Sequence, residues 1–334
     1  MVKSKVFSGI RPTGPAHLGN YVGAIENWVR LQDDYDCVFS VVDWHAITTE
    51  YESLREYNLR ERSEQKAMEL LAAGIDPGRT TLFIQSDVPE HVELAALFGM
   101  FVPLPWLERV PTYKEQIQNL KGKDLLTFGF LGYPVLQASD ILVHKATHVP
   151  VGEDQLPHIE LTREIARRFN HLYGEVFPEP RALQTETPRL PGLDNRKMSK
   201  SYGNAIDLIE SPEVTSKKIS QMITDPQRVK RNDPGDPDVC SVFTYHQTFT
   251  SEARVAEIES ACRSAGIGCV ECKREMAENV NRYLAPFRER YAEISARPKD
   301  VRETLGDGAK TARRTARTVL AEAKDALGIT RNSK

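Results

Sequence analysis

The chain has 334 residues, 40% of them hydrophobic and 27% charged, with a net charge of −3 at pH 7. That places it among ordinary globular proteins, with length for roughly two domains of about 150 residues and material for a sizeable core. The slightly acidic balance excludes a chain that is basic throughout, so any nucleic-acid contact has to be a local patch.

From the N-terminus, Met1-Val2-Lys3-Ser4-Lys5 runs straight into a strand-like segment, with no apolar leader and no small-residue cleavage site. No stretch of about 18 apolar residues follows anywhere, so a membrane span is excluded and a cytoplasmic place is expected. Strands are predicted over Val6–Ile10, Cys37–Val42 and Thr80–Ile84. Between the first two, Tyr21, Ala24, Ile25, Trp28 and Val29 recur at helical spacing. Between the second and third, Leu54 to Ala73 reads as a charged helix stopped by Gly74 and Asp76-Pro77-Gly78. Residues 90–145 read as helices interrupted by Pro103, Pro105 and Pro134. A strand at His148–Val151 precedes a helix from about Pro157 to Tyr173, and Pro178 to Arg196 reads as a loop. Beyond about Ile206 helical patterning dominates, with Leu284, Phe287, Tyr291 and Ile294 along one face. The alternation predicts an α/β, Rossmann-like parallel-sheet domain over 1–204 and an all-helical domain over 205–334.

Two segments carry chemistry. In Ser8-Gly9-Ile10-Arg11-Pro12-Thr13-Gly14-Pro15-Ala16-His17-Leu18-Gly19-Asn20 a strand ends, a Gly/Pro-rich loop turns and a helix begins. A helix N-terminus offers unpaired N–H groups and the positive end of its dipole, which suits phosphate. Gly19 permits close approach of a ribose or adenine, and His17 and Asn20 can donate to phosphate oxygens. About 180 residues later, Lys197-Met198-Ser199-Lys200-Ser201 puts two lysines and two hydroxyls in a polar loop. The Gly-x-x-x-x-Gly-Lys-Ser/Thr phosphate loop is absent from the sequence.

The pair resembles the two signatures of class I aminoacyl-tRNA synthetases, the pentapeptide verbatim and the first with Leu18 and Asn20 as departures. The resemblance implies ATP-dependent formation of an aminoacyl-adenylate, with Mg²⁺ helping to neutralise phosphate charge. Lys197 and Lys200 would hold the leaving pyrophosphate and His17 and Asn20 the α- and β-phosphates; these four are the expected catalytic residues. Arg11, Pro12, Thr13, Gly19, Met198, Ser199 and Ser201 would complete the phosphate side of the ATP site. Further segments are similar to the tryptophanyl-tRNA synthetase family of bacteria: Val42-Asp43-Trp44-His45-Ala46-Ile47-Thr48, Phe83-Ile84-Gln85-Ser86, Tyr133-Pro134, Ala138-Ser139-Asp140-Ile141-Leu142 and Val149-Pro150-Val151-Gly152-Glu153-Asp154-Gln155.

That likeness implies that Asp140 accepts a hydrogen bond from the indole N–H of L-tryptophan. Phe7 and Val151 would line the indole slot, with His45 and Gln137 beside it and Tyr133 and Gln155 at the α-amino end. Gly152, Glu153 and Asp154 would meet the ATP ribose and adenine, with Leu190 near adenine. Gln137 stands where many tryptophan enzymes have methionine, and a Gln-x-x-Asp pair is similar to tyrosyl-tRNA synthetases, the alternative assignment.

The chain has five cysteines, and four of them, Cys240, Cys262, Cys269 and Cys272, are spaced C-x21-C-x6-C-x2-C. Such clustering suits a metal in a reducing compartment better than a disulfide framework, and four thiolates suit zinc or a [4Fe–4S] cluster. The lack of two Cys-x-x-Cys halves favours iron–sulfur over zinc, and a subset of the bacterial family carries such a cluster on nearly this spacing. Cys37 is expected in the core. The resemblance further implies tRNA(Trp) as partner and a homodimer, with the run Leu97 to Leu107 as candidate contact. For tRNA, the candidate cations are Arg228, Lys230, Arg231, Lys273 and Arg274, and a stripe of Lys310, Arg313, Arg314, Arg317 and Lys324.

Overall fold

A computed structural model of the chain describes residues 3–111, 125–184 and 190–330. Strands form where short apolar runs can be buried on both faces: β1 (Lys5–Ile10), β2 (Asp36–Val41), β3 (Thr81–Ile84) and β4 (His148–Val151). In β2 every residue after Asp36 is buried, as a parallel strand covered on both sides requires. A fifth strand, β5 (Arg181–Gln184), lies inside the stretch expected to be loop. It occupies a sheet edge and is only half-buried, so its four residues carry no apolar run to betray it. All neighbours are parallel in the order β3-β2-β1-β4-β5, the expected Rossmann-like sheet.

Contacts divide the chain into two compact units, Met1–Gly14 with Trp28–Thr185 and Arg297–Lys334, and Pro15–Asn27 with Glu186–Ala296. In chain order the helices are α1 (Leu18–Asn20), α2 (Glu26–Leu31), α3 (Asp43–Glu50), α4 (Leu54–Tyr57), α5 (Leu59–Ala73), α6 (Glu90–Gly99), α7 (Leu104–Glu108), α8 (Phe128–Leu142) and α9 (Leu156–Tyr173). After β5 come α10 (Pro212–Ser220), α11 (Ser241–Phe249), α12 (Glu252–Arg263), α13 (Cys269–Ser295) and α14 (Pro298–Ala326). Among the described residues no helix is long and apolar enough to cross a membrane.

In the sheet unit, Phe7, Phe83, Phe98, Leu142, Ile165 and Phe169 sit in one continuous core between the strands and helices α6, α8 and α9. The last helix, α14, belongs to this core. Its buried residues Leu305, Ala309, Ala312, Ala316, Val319 and Ala323 recur every three or four positions and pack on β3 and α6. Gly308 lets the helix backbone approach the strand, since a Cβ there would stand 1.8 Å from the Leu82 carbonyl oxygen. Four residues of the basic stripe form ion pairs. Arg313 and Arg317 pair with Glu90, Lys310 with Asp307 and Lys324 with Glu93. Within the run Leu97 to Leu107, Phe98 is core, whereas Met100 and Leu104 are exposed.

In the second unit α13 is the central helix. It packs on α10 and α11, and its Tyr283 and Phe287 hold Tyr21 edge-on at 5.9 and 5.6 Å.

Candidate active site

In the sheet unit, β1 has β2 on one side and β4 on the other, so the connections after β1 and β4 leave the sheet in opposite directions. Ligands of open α/β sheets bind at the carboxyl ends of the strands at such a point. Here β1 delivers Arg11 and Thr13, both exposed, and Pro12, whose carbonyl accepts from Tyr57 Oη at 3.1 Å. Strand β4 delivers Val151, half-buried, and then exposed Gly152, Glu153 and Asp154 in a tight turn with Gln155, which donates to Asp154. A Cβ at Gly152 would stand 2.8 Å from Oδ1 of the exposed Asp154 side chain, which would have to move to admit it.

The two expected ATP signatures meet inside the second unit. His17 caps α1: its Nδ1 accepts from the Asn20 backbone N–H at 3.2 Å, and Asn20 Oδ1 accepts from the His17 N–H at 3.3 Å. This reciprocal box satisfies two of the helix's orphan donors and orients both side chains. With Nδ1 accepting, the neutral His17 ring carries its proton on Nε2, and Asn20 keeps its amide NH₂ as donor. Gly19 N–H points at Met198 Sδ, 3.3 Å away across 179 positions of sequence, and Met198 is buried. Beyond the lysine loop, Leu18 N–H donates to Ile206 O and Leu208 N–H to Ala16 O, which zips the two segments together.

Asn204, itself buried, fixes the lysine loop. Its Oδ1 accepts from Ser199 N–H at 2.8 Å, and its Nδ2 donates to Asp194 Oδ1 at 2.6 Å and Lys197 O at 3.2 Å. The hydrogen bond from Asn204, with those from Arg196, holds the Asp194 carboxyl at about 2. Gly192 makes room, because a Cβ there would fall 2.3 Å from Asn204 Nδ2. The loop thus exposes Lys197, keeps Lys200 half-buried and buries Leu190 at its start. The side chain of Ser201 lies outside the described residues.

Asp140 sits on α8 in the sheet unit and is 1% exposed. Its carboxylate accepts from His45 Nε2 at 2.8 Å, Gln85 Nε2 at 2.7 Å and His91 Nδ1 at 2.7 Å. Burial alone would raise this carboxyl; the hydrogen bonds that it accepts from His45 and His91 outweigh it and hold the group at about 2. Gln85 is itself oriented, its Oε1 accepting from Trp44 N–H at 3.1 Å. Phe7 packs beside this network, and Tyr133 meets the His45 ring edge-on at 6.4 Å and His158 Nε2 at 3.4 Å. Gln137 lies half-buried one turn before Asp140 on α8. Of the groups around Asp140, sequence reasoning named His45 and missed Gln85, His91 and His144. Gln85 lay inside a segment that carries the resemblance; His91 comes from α6, whose approach to α8 no local spacing announces, and His144 lies in the turn after α8, four residues beyond Asp140.

The four clustered cysteines fall at helix ends in the second unit: Cys240 caps α11, Cys262 closes α12, and Cys269 and Cys272 open α13. Cys272 is pushed up to about 12 by burial and then by Cys240, Cys262 and Cys269. Burial also raises Cys240 and Cys262, so these three groups are neutral thiols in the absence of a metal. Once deprotonated, cysteine thiolates are ligands of the kind a cationic metal centre takes. Among the described residues, however, no three His, Cys, Asp or Glu side chains stand as a formed metal site. Arg228 braces the group, with Nη1 3.9 Å from Cys262 Sγ and Nη2 donating to the Arg231 and Ile267 carbonyls. Cys37 is fully buried in β2, as expected.

Residues 2–285 match the family described as "tRNA synthetases class I (W and Y)". The chain is 50% identical to a tryptophan–tRNA ligase of Thermotoga maritima, over 97% of this chain and 99% of that protein. It is 42% identical to the tryptophan–tRNA ligase of Aquifex aeolicus, over 97% and 100%. A solved tryptophanyl-tRNA synthetase of Campylobacter jejuni, complexed with ADP and tryptophan, is similar at a TM-score of 0.88 and 35% identity, covering 97% of this chain and 99% of that one.

Proposed function

The chain belongs to the tryptophan–tRNA ligases of the class I tRNA synthetases, and we propose from that premise how its own residues divide the work. It activates L-tryptophan with ATP to tryptophanyl-adenylate and pyrophosphate and transfers tryptophan to tRNA(Trp); the near-full-length ligase relatives favour this over the tyrosyl alternative. ATP and Mg²⁺ are the reactants and ion of the class.

In the first step a tryptophan carboxylate oxygen bonds to the α-phosphorus while the bond to the pyrophosphate oxygen breaks. No protein nucleophile is needed, so catalysis is positioning and stabilisation of charge. His17 Nε2 and the Asn20 amide are the donors for α- and β-phosphate oxygens, and the Lys197 and Lys200 ammonium groups follow the departing pyrophosphate. Arg11 to Thr13 and Gly152 to Asp154 are the nucleotide side, together with Gly19, Leu190, Met198, Ser199 and Ser201. Asp140 receives the indole N–H, with Phe7, His45, Gln137 and Val151 around the ring and Tyr133 and Gln155 at the amino group. Mg²⁺, when bound, neutralises pyrophosphate charge.

The observation that carries this reading is the contact of Gly19 with Met198, which brings the two signatures into one assembly. Pyrophosphate exchange into ATP tests it: purified protein responds to tryptophan, and a response to tyrosine alone overturns the assignment.

For the cysteines we propose a [4Fe–4S] cluster held by Cys240, Cys262, Cys269 and Cys272, with structural zinc as the alternative; the support is their C-x21-C-x6-C-x2-C spacing and the place of all four at helix ends of the second unit. Its effect would be to tie three helix ends together. Anaerobically purified protein is then brown, with about four irons per chain; colourless protein with one zinc overturns the cluster. The proposed division of labour is catalysis over 1–204 and tRNA reading over 205–334, with Arg228, Lys230, Arg231, Lys273 and Arg274 as phosphate contacts. A homodimer through the exposed Met100 and Leu104 is tested by sedimentation, and a cytoplasmic place follows from supplying protein synthesis.

A further inference from the structure

An ionised carboxylate only accepts hydrogen bonds, with two lone-pair directions on each oxygen. At Asp140 both directions of Oδ1 are used, by Gln85 Nε2 and by His91 Nδ1, each at 2.7 Å. Oδ2 receives His45 Nε2 at 2.8 Å and keeps one direction open. The carboxylate is therefore pinned through Oδ1, and its remaining capacity lies on Oδ2.

His91 is held in turn. Facing a carboxylate, Nδ1 must be its protonated nitrogen, so Nε2 of the neutral ring is an acceptor. His144 Nε2 lies 3.0 Å from it and supplies the donor. Burial, the largest cause, lowers the pKa of His144 well below the usual histidine range, in keeping with a neutral donor ring. That ring cannot swing away: Phe7 stacks on it at 5.6 Å and 12°, and Phe83 packs edge-on at 5.7 Å. The backbone of His91 is fastened to α8 by Ser139 Oγ donating to its carbonyl at 2.6 Å.

We infer that His91, oriented by His144, is a positioning residue: it occupies Oδ1 of Asp140 with Gln85 and so leaves Oδ2 as the acceptor for the substrate's indole N–H. The inference rests on the reading of Asp140 as the tryptophan-recognising carboxylate and deepens it. Its consequence is specificity. A carboxylate free to turn would offer either oxygen to other partners, and a substrate without the N–H would lose less by comparison.

The test is pyrophosphate exchange with L-tryptophan and with its benzothienyl analogue, in which sulfur replaces the indole N–H, alongside a melting curve for each variant. His91→Leu raises KM for tryptophan about tenfold, leaves KM for ATP within about twofold and lowers the preference for tryptophan over the analogue about tenfold. His91→Asn, whose amide can reach the Nδ1 position, keeps that preference within about threefold of the parent, and His144→Phe, which keeps the stack and loses the donor, falls between. Unchanged preference in His91→Leu, equal losses in the Leu and Asn variants, or parallel rises in both KM values overturn the positioning role. Asp140→Asn separates the two claims. If it retains the preference, the reading of Asp140 fails and takes this inference with it; if it loses the preference while His91→Leu does not, the positioning role alone fails. Should His91→Leu not fold, His91→Asn against His91→Gln decides, since Gln places its amide at the Nε2 end and loses the preference.

Discussion

Gly19 offers its backbone N–H to the sulfur of Met198 at 3.3 Å, and a Cβ on Gly19 would lie 3.4 Å from that sulfur and 3.2 Å from His17 Nδ1. The glycine is thus where the helix cap and the lysine loop touch. Its lack of a side chain lets the cap histidine, the loop methionine and the helix start share one small volume. Gly19→Ala forces these neighbours apart by a few tenths of an ångström. The expected result is a fall of about tenfold in kcat/KM for ATP, about 1.4 kcal/mol, with tryptophan affinity unchanged. Steady-state exchange at varied ATP and equilibrium tryptophan binding check it.

Asn204→Ala removes three hydrogen bonds that hold the lysine loop. It leaves the Ser199 N–H and Lys197 carbonyl to find water, at a cost of about 2 kcal/mol in stability. The lysines are then presented from a looser loop, so kcat falls more than the stability loss alone implies. Denaturant unfolding and single-turnover adenylate formation measure the two effects separately.

Two glycines one turn-fraction apart on α14 give opposite outcomes. Gly308→Ala drives a Cβ into the Leu82 carbonyl and costs about 3 kcal/mol, since neither the strand nor the helix backbone can yield cheaply. Gly306→Ala meets nothing within 4 Å and stabilises by about 0.5–1 kcal/mol through reduced freedom of the unfolded chain. Melting temperatures of the two variants settle the docking of α14 on β3.

Buried histidines set the acid limit. His158 is lowered to about 4, chiefly by burial, with Asp154 opposing and His45 adding to the shift, and burial lowers His144 well below the usual histidine range as well. The unfolded chain takes up these protons near pH 6.5, whereas the folded protein resists until about 4. The unfolded state thus binds more protons in that window, and stability falls as pH drops through it. Asp140, held at about 2, keeps its contribution until lower pH. Urea unfolding at pH 7.5 and 5 shows the loss, and His158→Gln reduces the slope by up to about 1.4 kcal/mol per pH unit.

Some of this was legible along the chain because the governing physics is local. Four strands, the helix start at His17 and the loop at Lys197 to Ser201 depend on apolar runs, caps and charge placed within a few residues of one another. The edge strand β5 was hidden because Arg181–Gln184 is short and half-exposed, with no pattern distinguishing it from the proline-rich stretch around it. The apolar stripe of α14 was visible, but not its target. Its arginines read as a candidate surface for phosphate, and the pairing of two of them with Glu90, more than two hundred positions away, could not be read from the chain.

The sequence by itself therefore determined four of the five strands and, through its resemblance to the synthetases, pointed to the two nucleotide signatures and to Asp140 as the residue proposed to meet the substrate's ring. Tertiary structure alone decided that Gly19 meets Met198, that α14 closes on β3, and that Gln85, His91 and His144 stand behind Asp140. Those relations depend on how helices and strand ends converge from distant segments. A buried carboxylate must collect its hydrogen bonds from whatever the fold brings within 3 Å, and no local spacing in the chain specifies which groups those are.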